Sequence, residues 1–217
     1  FIGDYAFYGC EQLIGFEVSP TNNRYAAKDN ILYSKAMDSL FICPLSISGR
    51  FTAPSTVKYI GYSAFDGCEK ITEINLPATV NYIDNYAFEN CTGLTKIRLN
   101  ENVNTIGSSA FYSCTALQRF EFNRMNPPAV DYYTFEGINK STCNLIIPYY
   151  ATSNYKAANY WNQFLNVTES NFDDTAVPST MKRNFSVTTY GGQVKISGFD
   201  PGEPIRIYDL NGKLLYN

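Results

Sequence analysis

The sequence predicts a mostly β solenoid, in which the chain winds into a stack of similar coils, and three observations support this. A motif of the form I-[GD]-x-x-A-F-x-x-C-x-x-[IL]-x-x-[IF]-x-[LF] occurs three times, beginning at Ile60, Ile83 and Ile106. Its copies are 23 residues apart, and a fixed period of roughly 20–30 residues is typical of stacked coils. Each copy ends in a segment that alternates apolar and polar residues, as a strand with one buried face does.

Equivalent side chains of stacked repeats are expected to lie above one another and to form ladders inside the coil. One predicted ladder is aromatic and another is aliphatic, and each takes one residue from every copy. The aromatic ladder consists of Phe65, Phe88 and Phe111, and the aliphatic ladder of Ile60, Ile83 and Ile106. A single copy has no partner for these side chains, so the stack as a whole forms the core.

An earlier copy of the motif occupies Ile2 to Val18, and extra residues separate it from the copy at Ile60. The extra segment covers about residues 19–49. Two apolar runs within it, Ile31 to Tyr33 and Leu40 to Ile42, are joined by a polar stretch, which predicts a hairpin insertion. Because the sequence opens inside a copy of the motif, we expect it to be a piece of a longer protein.

After Phe122 the period decays, and residues 143–167 are predicted to cap the coil. Cys143 to Pro148 is predicted to be the last strand. Ser153 to Leu165 is predicted to be a helix, with Thr152 or Ser153 as its N-cap. We expect this helix to cover the open end of the stack and to bury the single tryptophan, Trp161, although an exposed ligand-stacking tryptophan is the alternative.

The remaining sequence divides into a linker and a short β segment. Residues 170–183 are rich in polar residues and are predicted to be a linker. Residues 184–217 are predicted to form a partial β-strand module with four short strands, and Asn211-Gly212 between apolar runs is typical of a hairpin turn.

In the first full copy, a proline and a valine follow the strand of the motif, as Pro77 and Val80. With these residues the repeated motif resembles the BspA-like leucine-rich repeat family over about residues 1–169. The resemblance implies an α/β solenoid, mostly β, wound as a right-handed leucine-rich-repeat coil. It also implies a secreted or cell-surface bacterial protein used for adhesion. Residues 184–217 resemble part of the C-terminal sorting module of proteins exported through the type IX route, or a related carboxy-terminal β domain.

The composition argues against most kinds of chemistry. Histidine is absent, which excludes serine–histidine and cysteine–histidine pairs and every histidine-based metal site. The motif cysteines are 23 residues apart rather than in C-x-x-C pairs, so zinc is not expected. There is also no phosphate-binding or dinucleotide-binding motif. We therefore predict no catalytic residues, no cofactor and no metal, and a protein that is not an enzyme.

Charge and hydropathy limit the possible partners. The net charge is −3 and no lysine- or arginine-rich run occurs, so a nucleic-acid partner is not expected. No apolar run approaches the roughly 20 residues that a transmembrane helix needs. The six cysteines permit either a disulfide framework or a ladder of buried thiols at Cys10, Cys68, Cys91 and Cys114. The second alternative is favoured because stacked side chains point the same way.

Binding at the solenoid surface remains as the expected function. The leading hypothesis is a protein ligand on a host or neighbouring cell, recognised through outward residues of the repeated strands. These candidates are Glu73, Asn75, Lys96, Arg98, Arg119 and Glu121. The alternatives are a polysaccharide recognised through tyrosines beside the aromatic ladder, or a spacer without a ligand. The candidate glycan contacts are Tyr62, Tyr86 and Tyr112.

Overall fold

The computed structural model describes residues 2, 6–7, 9–10, 12–172, 186–190, 193–197, 207–208 and 214–216. The chain divides into two compact units, Phe1–Asn171 and Phe172–Asn217. The described strands of the first unit are β1 (Tyr25–Lys28), β2 (Ile31–Ser34), β3 (Ser39–Ile42), β4 (Gly49–Thr52), β5 (Tyr59–Ile60), β6 (Ile71–Asn75), β7 (Tyr82–Ile83), β8 (Lys96–Leu99), β9 (Thr105–Ile106), β10 (Arg119–Phe122), β11 (Asn144–Pro148) and β12 (Asn166–Ser170). The predicted mostly β coil with a 23-residue period is confirmed.

One sheet, here called the main sheet, has the strand order β4-β6-β8-β10-β11-β12, and its neighbouring strands are parallel. Its register follows the repeat, because Ile74, Ile97, Phe120 and Leu145 are successive partners. All four of these side chains are buried. The residues on either side of them alternate to the outer face, as the pleat of a strand requires.

A second sheet, here called the lateral sheet, has the order β1-β2-β3-β5-β7-β9. Its two-residue strands β5, β7 and β9 align Ile60, Ile83 and Ile106 in the core. The insertion supplies the other three strands as an antiparallel meander. The strands predicted around Ile31 and Leu40 are present, but β1 was not predicted, since its sequence does not alternate.

The predicted aromatic ladder is confirmed at the corner between the two sheets. Neighbouring ring centroids are 5.2 Å apart from Phe65 to Phe88 and from Phe88 to Phe111, and Phe135 extends the ladder at 6.2 Å. Backbone hydrogen bonds join the coils here, such as the one from the N–H of Phe88 to the carbonyl of Ala110, at 2.8 Å. The corner therefore continues the stacking of the sheets.

The cysteines are free, and five of the six are buried: Cys43, Cys68, Cys91, Cys114 and Cys143. The thiols of Cys91 and Cys114 donate hydrogen bonds to backbone carbonyls of the preceding coil, at 3.1 Å and 3.2 Å. Burial raises the pKa of Cys143 to about 11, so this thiol stays protonated. The prediction was wrong for Cys10, which is exposed, because Cys43 takes the place beside Cys68.

The predicted helix from Ser153 to Leu165 is wrong in extent. A short helix, α1 (Thr152–Ala157), ends where Ala158 is extended, and a 3₁₀ turn follows at Trp161–Gln163. The N-cap of α1 is Ala151, which makes no side-chain capping hydrogen bond. Thr152 does not cap the helix because its hydroxyl donates to the Glu169 carboxylate on β12, at 2.6 Å.

The end of the main sheet also differs from the prediction. Strand β12, and not a helix, is the outermost strand, and it pairs in parallel with β11. The break after α1 lets Trp161 turn into the core, where it is 1% exposed and contacts Phe122 and Phe135. The buried position confirms a structural role for this tryptophan. Leu165, the last residue of the predicted helix, is 76% exposed.

The described residues of the second unit form two antiparallel pairs. Strand β13 (Ser186–Tyr190) pairs with β14 (Gln193–Ser197), and β15 (Ile207–Tyr208) pairs with β16 (Leu214–Tyr216). The hairpin turn predicted at Asn211-Gly212 lies outside the described residues, as does the predicted linker from residue 173 onward. The partial β module stays a prediction.

Candidate functional site

The outer side of the main sheet brings the predicted protein-contact residues together. One row across the strands consists of Arg50, Glu73, Lys96 and Arg119, which are successive partners in the register. A second row consists of Asn75, Arg98 and Glu121. Partners in neighbouring strands lie roughly 4.8 Å apart. We call these seven side chains the charged face.

Ion pairs link the charged face across four strands. The Glu73 carboxylate lies 2.8 Å from the Arg50 guanidinium and 3.1 Å from the Lys96 ammonium. The Glu121 carboxylate lies 2.5 Å from the Nε of Arg119 and 3.7 Å from both Lys96 and the Nε of Arg98. Glu73 is therefore held between cations from the coils on both sides, and Glu121 between Arg119 of its own strand and two cations of β8.

The carboxylates of the charged face are more covered than its cations. The side chains of Glu73 and Glu121 are 16% and 8% exposed, whereas those of Lys96, Arg98 and Arg119 are 36%, 32% and 51% exposed. Sequence alternation predicted only that Glu121 points outward, and the structure adds that its carboxylate is largely covered. Three cationic side chains converge on its carboxylate and bury it.

The charge of this surface is opposite to that of the whole chain. Four cations and two carboxylates give the charged face a formal charge of +2, while the chain carries −3. Partial burial would raise the pKa of Glu73, but Lys96 and Arg50 hold it below its usual value. Both ion pairs to Glu73 therefore persist at neutral and mildly acidic pH.

The predicted tyrosine contacts are less accessible than expected. All three side chains are half-buried: Tyr62, Tyr86 and Tyr112. The ring of Tyr62 packs edge-on against that of Tyr86, with centroids 5.3 Å apart. Two tyrosines that the sequence analysis missed, Tyr132 and Tyr133, are 57% and 55% exposed. Their signal was the offset of 24 from Phe111 to Phe135, which places them in the same rows as Tyr62 and Tyr86.

Three other features concern the residues that the structure describes. Within the residues that the structure describes, no group of three or more acidic, cysteine or histidine side chains is placed to hold a metal ion. In that same part of the chain, no helix is long and apolar enough to cross a membrane. A cavity of about 660 Å³ lies where the first copy meets the insertion, lined mainly by apolar side chains such as Phe7, Leu13 and Phe41.

Comparison with known families agrees with this architecture. The model of the BspA type leucine rich repeat region (6 copies) matches residues 37–156, which is more than half of the chain. The chain belongs to this family. The matched region of the BspA type protein contains all seven residues of the charged face and the entire aromatic ladder up to Phe135. No curated protein matches the chain.

Two solved structures resemble this BspA type protein. A leucine-rich repeat protein from Eubacterium ventriosum ATCC 27560 shares 28% identity over 66% of the chain and 38% of its own length, with a TM-score of 0.56. The pneumococcal vaccine antigen PcpA shares 16% identity over 72% of the chain and 49% of its own length, with a TM-score of 0.46. The chain thus spans less than half of either structure.

Proposed function

We propose that this protein is a non-catalytic binding module of a secreted or cell-surface bacterial protein, and that its charged face contacts an acidic segment of a protein partner. The observation that carries the proposal is the unequal exposure of the two charges. The carboxylates are held within the face while the guanidinium and ammonium groups reach solvent. An approaching partner therefore meets mainly positive charge.

The strand scaffold supports recognition of carboxylates in particular. Arg98 and Arg119 present planar guanidinium groups, which bind carboxylates through two parallel hydrogen bonds. Both side chains stand on paired strands of the main sheet, so the backbone beneath them is fixed by the parallel register. Glu121 accepts a hydrogen bond from the Nε of Arg119 and lies 3.7 Å from the Nε of Arg98, and holding these guanidinium groups in place lowers the entropy that binding has to overcome.

The proposal is tested with the whole chain and a glutamate peptide of about twelve residues as a probe, beside panels of matrix proteins and polysaccharides. The double variant Arg98→Ala/Arg119→Ala is expected to weaken peptide binding about tenfold by calorimetry. The control Lys140→Ala/Lys156→Ala removes the same charge away from the face, and should bind as the unchanged protein does. Higher salt should weaken binding, since exposed charges are screened.

The outcomes separate the possible functions. Equal weakening by both double variants would show that net charge, and not the charged face, attracts the peptide. A matrix protein whose binding is also lost with Arg98→Ala/Arg119→Ala would be the first candidate partner. Absence of binding to the peptide and to both panels would refute the proposal and favour a spacer.

A further inference from the structure

The corner that carries the aromatic ladder places two tyrosine pairs on four successive coils, and we call the gap between the pairs the corner groove. Tyr62 and Tyr86 pack together at one side of it, with centroids 5.3 Å apart. Tyr132 and Tyr133 pack together at the other side, with centroids 5.1 Å apart and ring planes at 90°. The coil between the two pairs has Ser108 and Ser109 in the equivalent rows, so these two rows carry no aromatic side chain in that coil.

The width of this groove follows from the stacking of the coils. The N–H of Tyr86 donates to the carbonyl of Ser108 at 2.9 Å, and in the next step the N–H of Phe111 donates to the carbonyl of Thr134 at 3.0 Å. The coils are thus stacked at the sheet spacing of roughly 4.8 Å. Tyr86 is two coils away from Tyr132 and Tyr133, about 10 Å between backbones at this spacing, which leaves room for one sugar ring between them.

The far side of the groove is the more accessible. Tyr132 and Tyr133 are both more than half exposed, and the ring of Tyr160 stands edge-on to Tyr132 with centroids 6.4 Å apart. The backbone of Tyr160 has a positive φ of 67°, a region that residues other than glycine rarely adopt. Three tyrosines therefore present ring edges, faces and hydroxyl groups at one place.

The floor of the groove is polar and ordered. The Asn85 amide oxygen accepts the N–H of Ser108 at 2.7 Å, and Asp131 hydrogen-bonds to Ser108 and Thr134. Although burial opposes it, these hydrogen bonds keep the pKa of Asp131 below its usual value. An amide, a hydroxyl and a carboxylate thus line the base between the tyrosine pairs.

The charge around the groove is negative. The corner segments 61–69, 84–92, 107–115 and 131–139 contain no lysine and no arginine. They contain six carboxylates: Asp66, Glu69, Asp84, Glu89, Asp131 and Glu136. Sulfated and uronic-acid sugars are disfavoured here by like-charge repulsion, whereas neutral sugars are not.

We infer that this corner groove binds a neutral pyranose residue of a polysaccharide, with the sugar ring between the Tyr62–Tyr86 and Tyr132–Tyr133 pairs. A pyranose whose hydroxyls are equatorial has C–H groups on both faces, which fit the aromatic rings, and hydroxyls at its edge. Tyrosine provides such contact area at low entropic cost, and the polar floor receives the sugar hydroxyls. The site is separate from the charged face and does not depend on the protein-binding proposal.

Three variants of the whole chain test the groove, with cellohexaose, laminarihexaose and mannohexaose as neutral probes and heparin as the sulfated control. Tyr132→Ala/Tyr133→Ala removes one wall. Ser108→Tyr fills the gap, and it is compatible with the fold because Tyr62 and Tyr132 occupy the same row in other coils. The control Tyr149→Ala/Tyr150→Ala removes two exposed tyrosines that follow the opposite end of a main-sheet strand.

We expect the unchanged protein to bind at least one neutral hexasaccharide saturably by calorimetry, with a Kd below about 1 mM. Both groove variants should weaken this binding at least tenfold, while the control pair and Arg98→Ala/Arg119→Ala should leave it unchanged. The inference is overturned if no neutral probe binds, if heparin alone binds, or if the control pair weakens binding as much as Tyr132→Ala/Tyr133→Ala does.

Discussion

The Phe88→Ala substitution probes the ladder on which the coil depends. The Phe88 ring is fully buried and stacks on Phe65 and Phe111 with both centroid distances at 5.2 Å. Removing a buried phenylalanine ring costs about 3–5 kcal/mol, part of which is the loss of stacking, about 0.5–1.5 kcal/mol for each pair. Because each coil is stabilised mainly by its neighbours, the loss falls on both interfaces of the central coil.

Thermal unfolding followed by circular dichroism measures this loss. For a unit of this size each kcal/mol lowers Tm by about 2–4 °C, so Phe88→Ala should lower it by about 6–20 °C. Phe88→Leu keeps most of the apolar volume and should lower Tm by less. The exposed substitution Tyr150→Ala is the control and should leave Tm unchanged. An unaltered Tm in Phe88→Ala would refute the ladder as the core of the coil.

Three further predictions concern the backbone, pH and the thiols. A Cβ at Gly93 would lie 2.0 Å from a carbonyl oxygen of the preceding coil, so Gly93→Ala should lower the free energy of unfolding, measured with urea, by about 1–3 kcal/mol. Burial, with repulsion from Asp66, raises the pKa of Glu89. Glu89→Gln should therefore stabilise the fold at pH 7, and this advantage should be lost as the pH falls through that pKa. An equal difference in urea midpoint between the variant and the unchanged protein at pH 7 and at pH 4 would contradict this. Titration with a thiol reagent should find one reactive thiol in the native first unit, that of Cys10, and six after denaturation; fewer than six would indicate a disulfide.

The repeated part of the fold was predictable because each copy of the motif confirms the others. A phenylalanine at one position is ambiguous, but Phe65, Phe88 and Phe111 at a fixed offset indicate one ladder. The same offset placed Glu73 and Lys96 in one row, since the register of a parallel stack follows the repeat. The period alone thus indicates which outward residues of neighbouring coils share a row.

The parts without a repeat were less predictable, because no second copy indicates their structure. The apolar spacing from Tyr155 to Phe164 is compatible with one long helix, yet the chain breaks at Ala158 and turns Trp161 into the core. Strand β12 was missed because its burial alternates only weakly. Its position is fixed by pairing with β11, and this pairing has no local signal.

The candidate surfaces show a second limit of sequence reasoning. Alternation along a strand indicates the outward direction of Glu121 but not its burial, which depends on cations from two strands. Tyr132 and Tyr133 were missed because their coil departs from the period by one residue. In both cases the decisive contacts lie between coils, whereas a pattern along the chain describes only one coil at a time.

The central claim about function is that surplus positive charge on the main sheet attracts an acidic segment. Glu73→Gln removes one carboxylate and raises the formal charge of the charged face from +2 to +3, whereas Arg98→Ala/Arg119→Ala lowers it to zero. Calorimetry with the glutamate peptide at constant salt should therefore give the tightest Kd for Glu73→Gln, an intermediate Kd for the unchanged protein and the weakest for the arginine variant. Equal values in all three proteins, or weaker binding by Glu73→Gln with an unchanged Tm, would contradict the claim.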